Sequence, residues 1–480
     1  MIRNLVFPAI LCLVAGVPFL TAQAESADRP HIVVILVDDM GYGDPGCFNA
    51  DSKIPTPQTD SLAAAGMRFT DAHAPGPLCH MSRYGLMTGC YPFRTNVGVW
   101  PRQPLIRPDQ MTIASLAKTQ GYHTAMVGKW HCGFQENGYD QPLPGGPVDR
   151  GFDSFFGIRA STDIPPYFFI RNDRAVQAPT LQIAANNSED WSPIQGAFWR
   201  AGEISPDLQL EQVLPRFTGE AISVIEGHAQ NSNEQPLLLY LAYPAPHTPW
   251  LPAAEFVGQS GAGMYGDFLM MVDTEIGRVL TALQQAEMAD DTLVVFTSDN
   301  GFCWYDSDTE RFGHDSSGGL RGMKADAWEG GHRMPFIVRW PKHVPAGAES
   351  TQLVCFTDLL ATFADVLDVS LPDEAGPDSF SFLPALKADS AASEPRRQQF
   401  VMRAGSVASM MTIRSGDWKL ITELGSGGFS KPSRIEPQNG QPSGQLYHLG
   451  RDRAESDNVY LANPDVVARL QNELQAVVNA

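Results

Sequence analysis

The segment His31-Ile32-Val33-Val34-Ile35-Leu36-Val37 is apolar at every position after its first and ends abruptly in Asp38-Asp39. A strand with one wet face alternates polar and apolar residues. A run without alternation is covered on both faces, as in the middle of a parallel sheet. Comparable runs occupy residues 124–127, 237–243, 293–297 and 336–340, with helical patterns between them around 59–65, 112–119, 208–228, 265–285 and 356–367. Strands alternating with helices predict an α/β fold, a large mixed and mostly parallel sheet sandwiched by helices. With 480 residues and 43% hydrophobic content, the chain can fill one large core and a smaller second one.

Two stretches break this rhythm. Residues 130–205 are rich in Gly, Pro and aromatics and show little period, which suggests an ordered insertion near a site. Residues 370–398 carry Pro, Asp, Ser and Ala with weak periodicity and read as a connection. Short strand-like pieces follow at 400–403, 410–414 and 418–422, then a helical pattern near 464–478. The expected organisation is a leader at 1–24, a catalytic α/β domain at 25–370, and a connection with a small domain at 371–480. That small domain should be an antiparallel sheet plus one helix.

Candidate chemistry gathers where the strands end. Asp38 and Asp39 close the first strand, and Asp299-Asn300-Gly301 follows the 293–297 run. Ligands collect beyond the carboxyl ends of strands in open α/β sheets, so these two ends are expected to converge. Three carboxylates about 5 Å apart would repel by roughly 3 kcal/mol per pair at an effective dielectric near 20, and a divalent cation removes that penalty. Carboxylate oxygens with an Asn carbonyl favour Ca²⁺ or Mg²⁺ over zinc. Such motifs are also ordinary turn chemistry; their coincidence on two strand ends points to a cation.

A second constellation is Pro77-Leu78-Cys79-His80-Met81-Ser82-Arg83-Tyr84-Gly85-Leu86-Met87-Thr88-Gly89. It places Cys79 one helical turn before Arg83, so the two share a face if a helix starts here. A helix N-terminus also offers free N–H groups to an anion. Further segments follow in order: Val127-Gly128-Lys129-Trp130-His131, Ala245-Pro246-His247-Thr248-Pro249, and Leu320-Arg321-Gly322-Met323-Lys324 before Trp328-Glu329-Gly330-Gly331. In the tail stand Gly416-Asp417-Trp418-Lys419-Leu420 and Leu446-Tyr447.

Together these segments resemble the sulfatase family, within the alkaline phosphatase superfamily, from about residue 30 to 460. The resemblance implies an arylsulfatase-like sulfuric ester hydrolase in which Cys79 is oxidised to formylglycine by a formylglycine-generating or equivalent maturing enzyme. The family pattern is Cys-x-Pro-x-Arg; Met81 stands here at the Pro position. By the same resemblance Asp38, Asp39, Asp299 and Asn300 hold a metal, calcium ahead of magnesium, together with an oxygen of modified Cys79. Lys129, Lys324 and Arg83 would neutralise the sulfate. One hydroxyl of the hydrated aldehyde would attack sulfur, and His131 would later deprotonate the other. His247 with Lys324 would protonate the leaving alcohol. His314, shortly before Lys324, is a candidate substrate contact, and Trp250, Trp304 and Tyr305 could stack on a sugar or aryl group. The implied substrate is a sulfated carbohydrate or aryl sulfate. The alternatives are a phosphodiesterase or phosphonate hydrolase on the same scaffold, or a sulfated-glycan-binding pseudoenzyme if Cys79 is not matured.

Charge and cysteine usage narrow the context. The formal charge of −20 argues against nucleic acid as a partner, and a polyanionic substrate would need a locally positive pocket. Residues 1–24 read as a secretory signal peptide: Arg3, an apolar run from Leu5 to Leu20, then Ala22-Gln23-Ala24. The run is short for a membrane span, so the expected product is exported, periplasmic or secreted, without a membrane span. Cys47, Cys79, Cys90, Cys132, Cys303 and Cys355 are too few for a disulfide framework, and their pairing is left open.

Overall fold

A computed structural model describes residues 29–99, 102–231, 235–387 and 395–480. The leader segment lies outside the described residues. The central strand, His31–Asp38, sits in a ten-stranded sheet between Thr292–Ser298 and Leu237–Pro246, parallel to both. Beyond Leu237–Pro246 come His123–Lys129 and Ser154–Ile158, also parallel. On the other side Phe336–Arg339 runs antiparallel to Thr292–Ser298, and Met67–Phe69 runs antiparallel to it in turn. The sheet is therefore mixed but mostly parallel, as expected.

The apolar run at 32–37 is explained by what lies on each side. Ile32, Val34 and Leu36 enter one core, with Leu86 and Met87, Ile113 and Leu116, and Leu359 and Phe363 from covering helices. Val33, Ile35 and Val37 enter the other, with Phe217, Leu269, Val272 and Leu62. All six strand residues are fully buried, each stabilising the fold by roughly 1.5–3 kcal/mol on an area basis. The helices are Cys79–Thr88, Ile113–Thr119 and Asp358–Val366 on the first face, and Pro57–Ala64, Val213–Gln230 and Gly263–Gln285 on the second. None among the described residues is long and apolar enough to cross a membrane.

The small C-terminal sheet has four antiparallel strands in sequence order: Gln399–Arg403, Met411–Ser415, Trp418–Ile421 and Gln445–His448. The last strand is one more than sequence patterning predicts. Gly416, at φ 58°, provides the left-handed residue of the tight turn before Trp418. Helix Pro464–Asn479 covers the sheet through Val467, Leu470 and Leu474. This layer touches the larger one directly: the Gly405 N–H donates to the Ala325 carbonyl (2.9 Å) and the Ala327 N–H to the Ser426 carbonyl (2.7 Å).

Candidate active site

Five chain segments deliver charged side chains to the carboxyl ends of the central strands: those of Asp38 and Asp39, Arg83, Lys129, Asp299 and Lys324. Asp38 ends its strand, and Asp39 follows at φ 66°, a left-handed turn. The Asp39 N–H donates to Asp299 Oδ1 at 3.3 Å, so the two strand ends converge as expected. Gly301 then lets the loop bearing Lys324 approach: a Cβ there would lie 2.0 Å from the Gly330 carbonyl oxygen.

Cys79 is the first residue of its helix, after extended Leu78, and its Sγ lies 3.4 Å from Asp38 Oδ1. One turn on, fully buried Arg83 binds Asp299 Oδ2 through Nε (2.9 Å) and reaches Asp38 Oδ2 (3.3 Å). It also donates to the Lys129 carbonyl at 2.8 Å, which ties the helix to the end of strand His123–Lys129. The Lys129 ammonium binds Asp38 and donates to Ser161 Oγ (2.7 Å). Lys324 Nζ grips Asp39 at 2.6 and 2.7 Å. Met81, buried in the same helix, lies over Gly76, where even a Cβ would come within 2.7 Å of it.

These surroundings set the protonation states. Burial pushes the Cys79 thiol well above the ordinary thiol range, and Asp299 and Asp38 add to it, so the unmodified residue is a thiol and a poor nucleophile. Burial alone would raise Asp38 too, but Lys129, His247, Arg83 and Lys324 hold it below the carboxylate range. Burial, reinforced by Lys129, keeps His131 well below the usual histidine value and therefore neutral. The Thr248 carbonyl accepts from His247 Nδ1 (2.7 Å), leaving Nε2 directed toward Asp39 Oδ2 at 3.7 Å.

Asp39, Cys79, His131, His247 and Lys324 line a cleft of about 210 Å³, together with His80 and Asp163 among others, while Asp38, Arg83, Lys129 and Asp299 are fully buried next to it. That volume is below the roughly 300–1,000 Å³ of sites that enclose drug-sized ligands. A larger cleft of about 540 Å³ beside Phe156, Phe169 and Arg216 has no comparable cluster of acids and bases.

The donor set fits a hard divalent cation. Ligand atoms of Asp38, Asp39, Cys79 and His247 lie within 4.8 Å of one another. Asn300 Oδ1 is buried without a hydrogen-bond partner, although its Nδ2 reaches Asp39 Oδ1 at 2.6 Å. Carboxylates with an orphaned amide oxygen are hard oxygen donors of the kind that Ca²⁺ or Mg²⁺ takes. Charge balance leads the same way. Asp38, Asp39 and Asp299 already face Arg83, Lys129 and Lys324. No positive charge is left over for an anionic substrate unless a cation adds it.

Other expected contacts fall elsewhere. His314 does not line the cleft: its fully buried ring binds Asp44 Oδ1 (2.9 Å) and accepts from the Lys53 N–H (3.3 Å). Asp44 in turn takes the Gly41 N–H and the Tyr265 hydroxyl, bracing the turn after Asp39. Trp250 and Trp304 are buried and pack around Tyr265 and Trp191. All six cysteines in the described residues are free. Sequence patterning missed Ser161, Asp163 and Arg200, which come from the irregular 130–205 segment and reach the cleft. Their only signal was the lack of period in a segment that reads as an insertion near a site.

The sulfatase family model matches residues 30–369. The chain is 32% identical to an N-acetylgalactosamine-6-O-sulfatase of Bacteroides thetaiotaomicron over 98% of each protein. It is 32% identical to human arylsulfatase A, covering 83% of this chain and 76% of that one. A solved structure, described under the metabolism of multiple glycosaminoglycans by Bacteroides thetaiotaomicron, superposes with a TM-score of 0.83 at 31% identity. It covers 95% of this chain and 100% of the other. With its fold, its cleft of cations and acids, and these likenesses in agreement, the chain belongs to the sulfatase family of sulfuric ester hydrolases.

Proposed function

We propose that this chain is an exported sulfatase that hydrolyses a sulfate ester of a carbohydrate or aryl alcohol, with Cys79 matured to formylglycine. The observation that carries the reading is Cys79 at a helix start, beside Asp38 and among Arg83, Lys129 and Lys324. Asp38, Asp39, Asp299, Asn300 and the matured residue 79 would hold calcium. A metal held there would supply Lewis-acid polarisation of the sulfate oxygens, and a formylglycine hydrate at residue 79 would supply the nucleophilic oxygen.

The remaining work falls to the chain's own side chains. Lys129 and Lys324 meet the charge of the sulfate oxygens, where preorganised cations are most effective in a buried cleft. Arg83 orients residue 79 by locking its helix to Asp299 and Asp38. His131, as neutral imidazole, accepts a proton at residue 79. His247 Nε2, with Lys324, delivers one to the leaving alcohol. Residues 25–370 form the catalytic part and 371–480 the smaller part; 1–24 direct export, and a maturing enzyme must act on Cys79.

N-acetylgalactosamine 6-sulfate is the first sugar substrate to assay, because the relative matched over 98% of both chains carries that name. The test is mass spectrometry of the Cys79 peptide from the native host, with parallel assays on aryl sulfate and aryl phosphodiester. Formylglycine with faster sulfate hydrolysis is expected. A matured protein that prefers the phosphodiester, or an unmatured one that only binds sulfated glycan, would replace this reading.

A further inference from the structure

Beside the metal-type ligands, one cleft wall is built by the irregular segment that carries Ser161, Asp163, Ile164, Ile194 and Arg200. Asp163 is only 3% exposed. Its Oδ2 takes the Arg200 guanidinium, which also donates to the Asp163 carbonyl at 3.2 Å. Its Oδ1 is buried with no hydrogen-bond partner. The nearest cationic candidate, His247 Nδ1, lies 3.9 Å away and is engaged by the Thr248 carbonyl. A buried carboxylate oxygen without a donor is unfavourable unless a ligand supplies one.

The Arg200 pairing uses one oxygen and orients the other. If Asp163 served only to anchor Arg200, nothing would require the second oxygen to border the cleft unpaired. The Arg200 side chain is 47% exposed, so its charge sits at the mouth while the carboxylate sits inside. An ionised carboxylate accepts hydrogen bonds and cannot donate them. It therefore favours a hydroxyl or amide N–H on the bound group and disfavours a second anion beside it.

We propose that Asp163, positioned by Arg200, reads a free hydroxyl on the ring that carries the sulfate, so that this enzyme selects singly sulfated sugars over aryl or sterol sulfates. The inference rests on the sulfatase reading above and names the substrate class of that same site. Hydrogen bonds to charged acceptors are worth about 10- to 150-fold in binding. A site built to pair a substrate hydroxyl rejects analogues that lack it more strongly than an apolar pocket rejects a missing methylene.

The test compares N-acetylgalactosamine 6-sulfate with its 3-deoxy and 4-deoxy analogues and with 4-nitrophenyl sulfate, using matured full-length protein. In the parent, removing one of the two hydroxyls should lower kcat/KM by about 10- to 100-fold. In Asp163→Asn that same hydroxyl should matter less, by about tenfold, with folding checked by thermal melting. Arg200→Gln, which frees the carboxylate without removing it, should give an intermediate loss of hydroxyl discrimination. A parent indifferent to both hydroxyls overturns the proposal even if neither variant folds. Equal losses on hydroxylated and deoxy sugars in Asp163→Asn also overturn it. If the matured parent cleaves 4-nitrophenyl sulfate but none of the sugars, the substrate class is wrong while the sulfatase reading stands. If it cleaves no sulfate ester, both fall.

Discussion

Two buried groups of acids and bases, one next to the cleft and one around Glu329, each set three carboxylates against three cations. Beside the cleft these are Asp38, Asp39 and Asp299 with Arg83, Lys129 and Lys324. The second group holds Asp71, Glu329 and Glu455 with Arg333, Lys419 and Arg414, and adds His73 and His332. In both, acids and histidine or cysteine side chains come close enough to share a metal. Composition and charge do not separate them.

What separates them is unused bonding capacity. In the second group Lys419 Nζ sits 2.9 Å from Glu329 Oε1 and 3.1 Å from His332 Nε2, occupying the place a metal would take. His73 binds Asp71 (2.8 Å) and His332 (2.9 Å), and Arg333 closes on Glu329 Oε2 (2.7 Å). Glu455 Oε1 of the second group makes no regular hydrogen bond but has the Lys419 ammonium at 2.8 Å, whereas Asn300 Oδ1, buried beside the cleft, and Asp163 Oδ1 in its wall have no hydrogen-bond donor. A satisfied buried network specifies a fold, and an incomplete one beside a cleft binds something. The closed network joins Lys419 and Glu455 of the C-terminal layer to Glu329, five residues after Lys324. It thereby braces the loop that carries a cleft cation.

The largest expected effect tests the open cluster. Asp299→Asn should lower sulfatase kcat/KM by at least about 10³-fold and weaken calcium binding, since it removes the carboxylate charge that pairs with Arg83 and that we propose faces the metal. Turnover within tenfold of the parent would erase the distinction drawn between the clusters. Next comes the closed one. Lys419→Met leaves buried Glu329 and Glu455 undercompensated and should destabilise the protein by about 3–5 kcal/mol in denaturant titration. Calcium affinity should be unchanged; a stable variant with altered metal binding would reverse the assignment.

A smaller effect separates proton transfer from binding within the cleft. His247→Ala should slow sugar sulfates by about 10²-fold or more while activated aryl sulfates lose much less, because only poor leaving groups need the proton. Equal losses on both would make His247 a binding or folding residue.

The smallest effect is a pH dependence in the closed network. Burial, reinforced by Glu329, pushes Glu455 up to about 7 from an ordinary value of 4.5, although Lys419 opposes the rise. The folded protein keeps this proton where the unfolded chain has lost it. The contribution is therefore complete below pH 4.5 and disappears as pH rises through 7. Denaturation of Glu455→Gln beside the parent should show the parent losing about 1–3 kcal/mol relative to the variant across that window. A difference that stays flat or grows with pH would place Glu455 as an ordinary ionised partner.

The amino-acid order by itself determined the central strand and the helix that starts at Cys79, because both are local facts. Alternate residues of 32–37 must enter two cores if all are apolar, and residues four apart on a helix share a face. It likewise determined that Asp38-Asp39 and Asp299-Asn300 end strands. Direction and pairing were not local. The 336–339 strand runs antiparallel although its apolar run reads like its parallel neighbours, and the short 445–448 strand exists because Trp418–Ile421 offers it an edge. His314 turned toward Asp44, and Trp250 and Trp304 toward Tyr265, because burial rewards partners that are distant in sequence. Asp163 and Arg200 carry no periodic signal at all. Only the tertiary structure decided that one carboxylate oxygen would be held by an arginine and the other left bare at the cleft, since that depends on where an irregular segment comes to rest against the sheet.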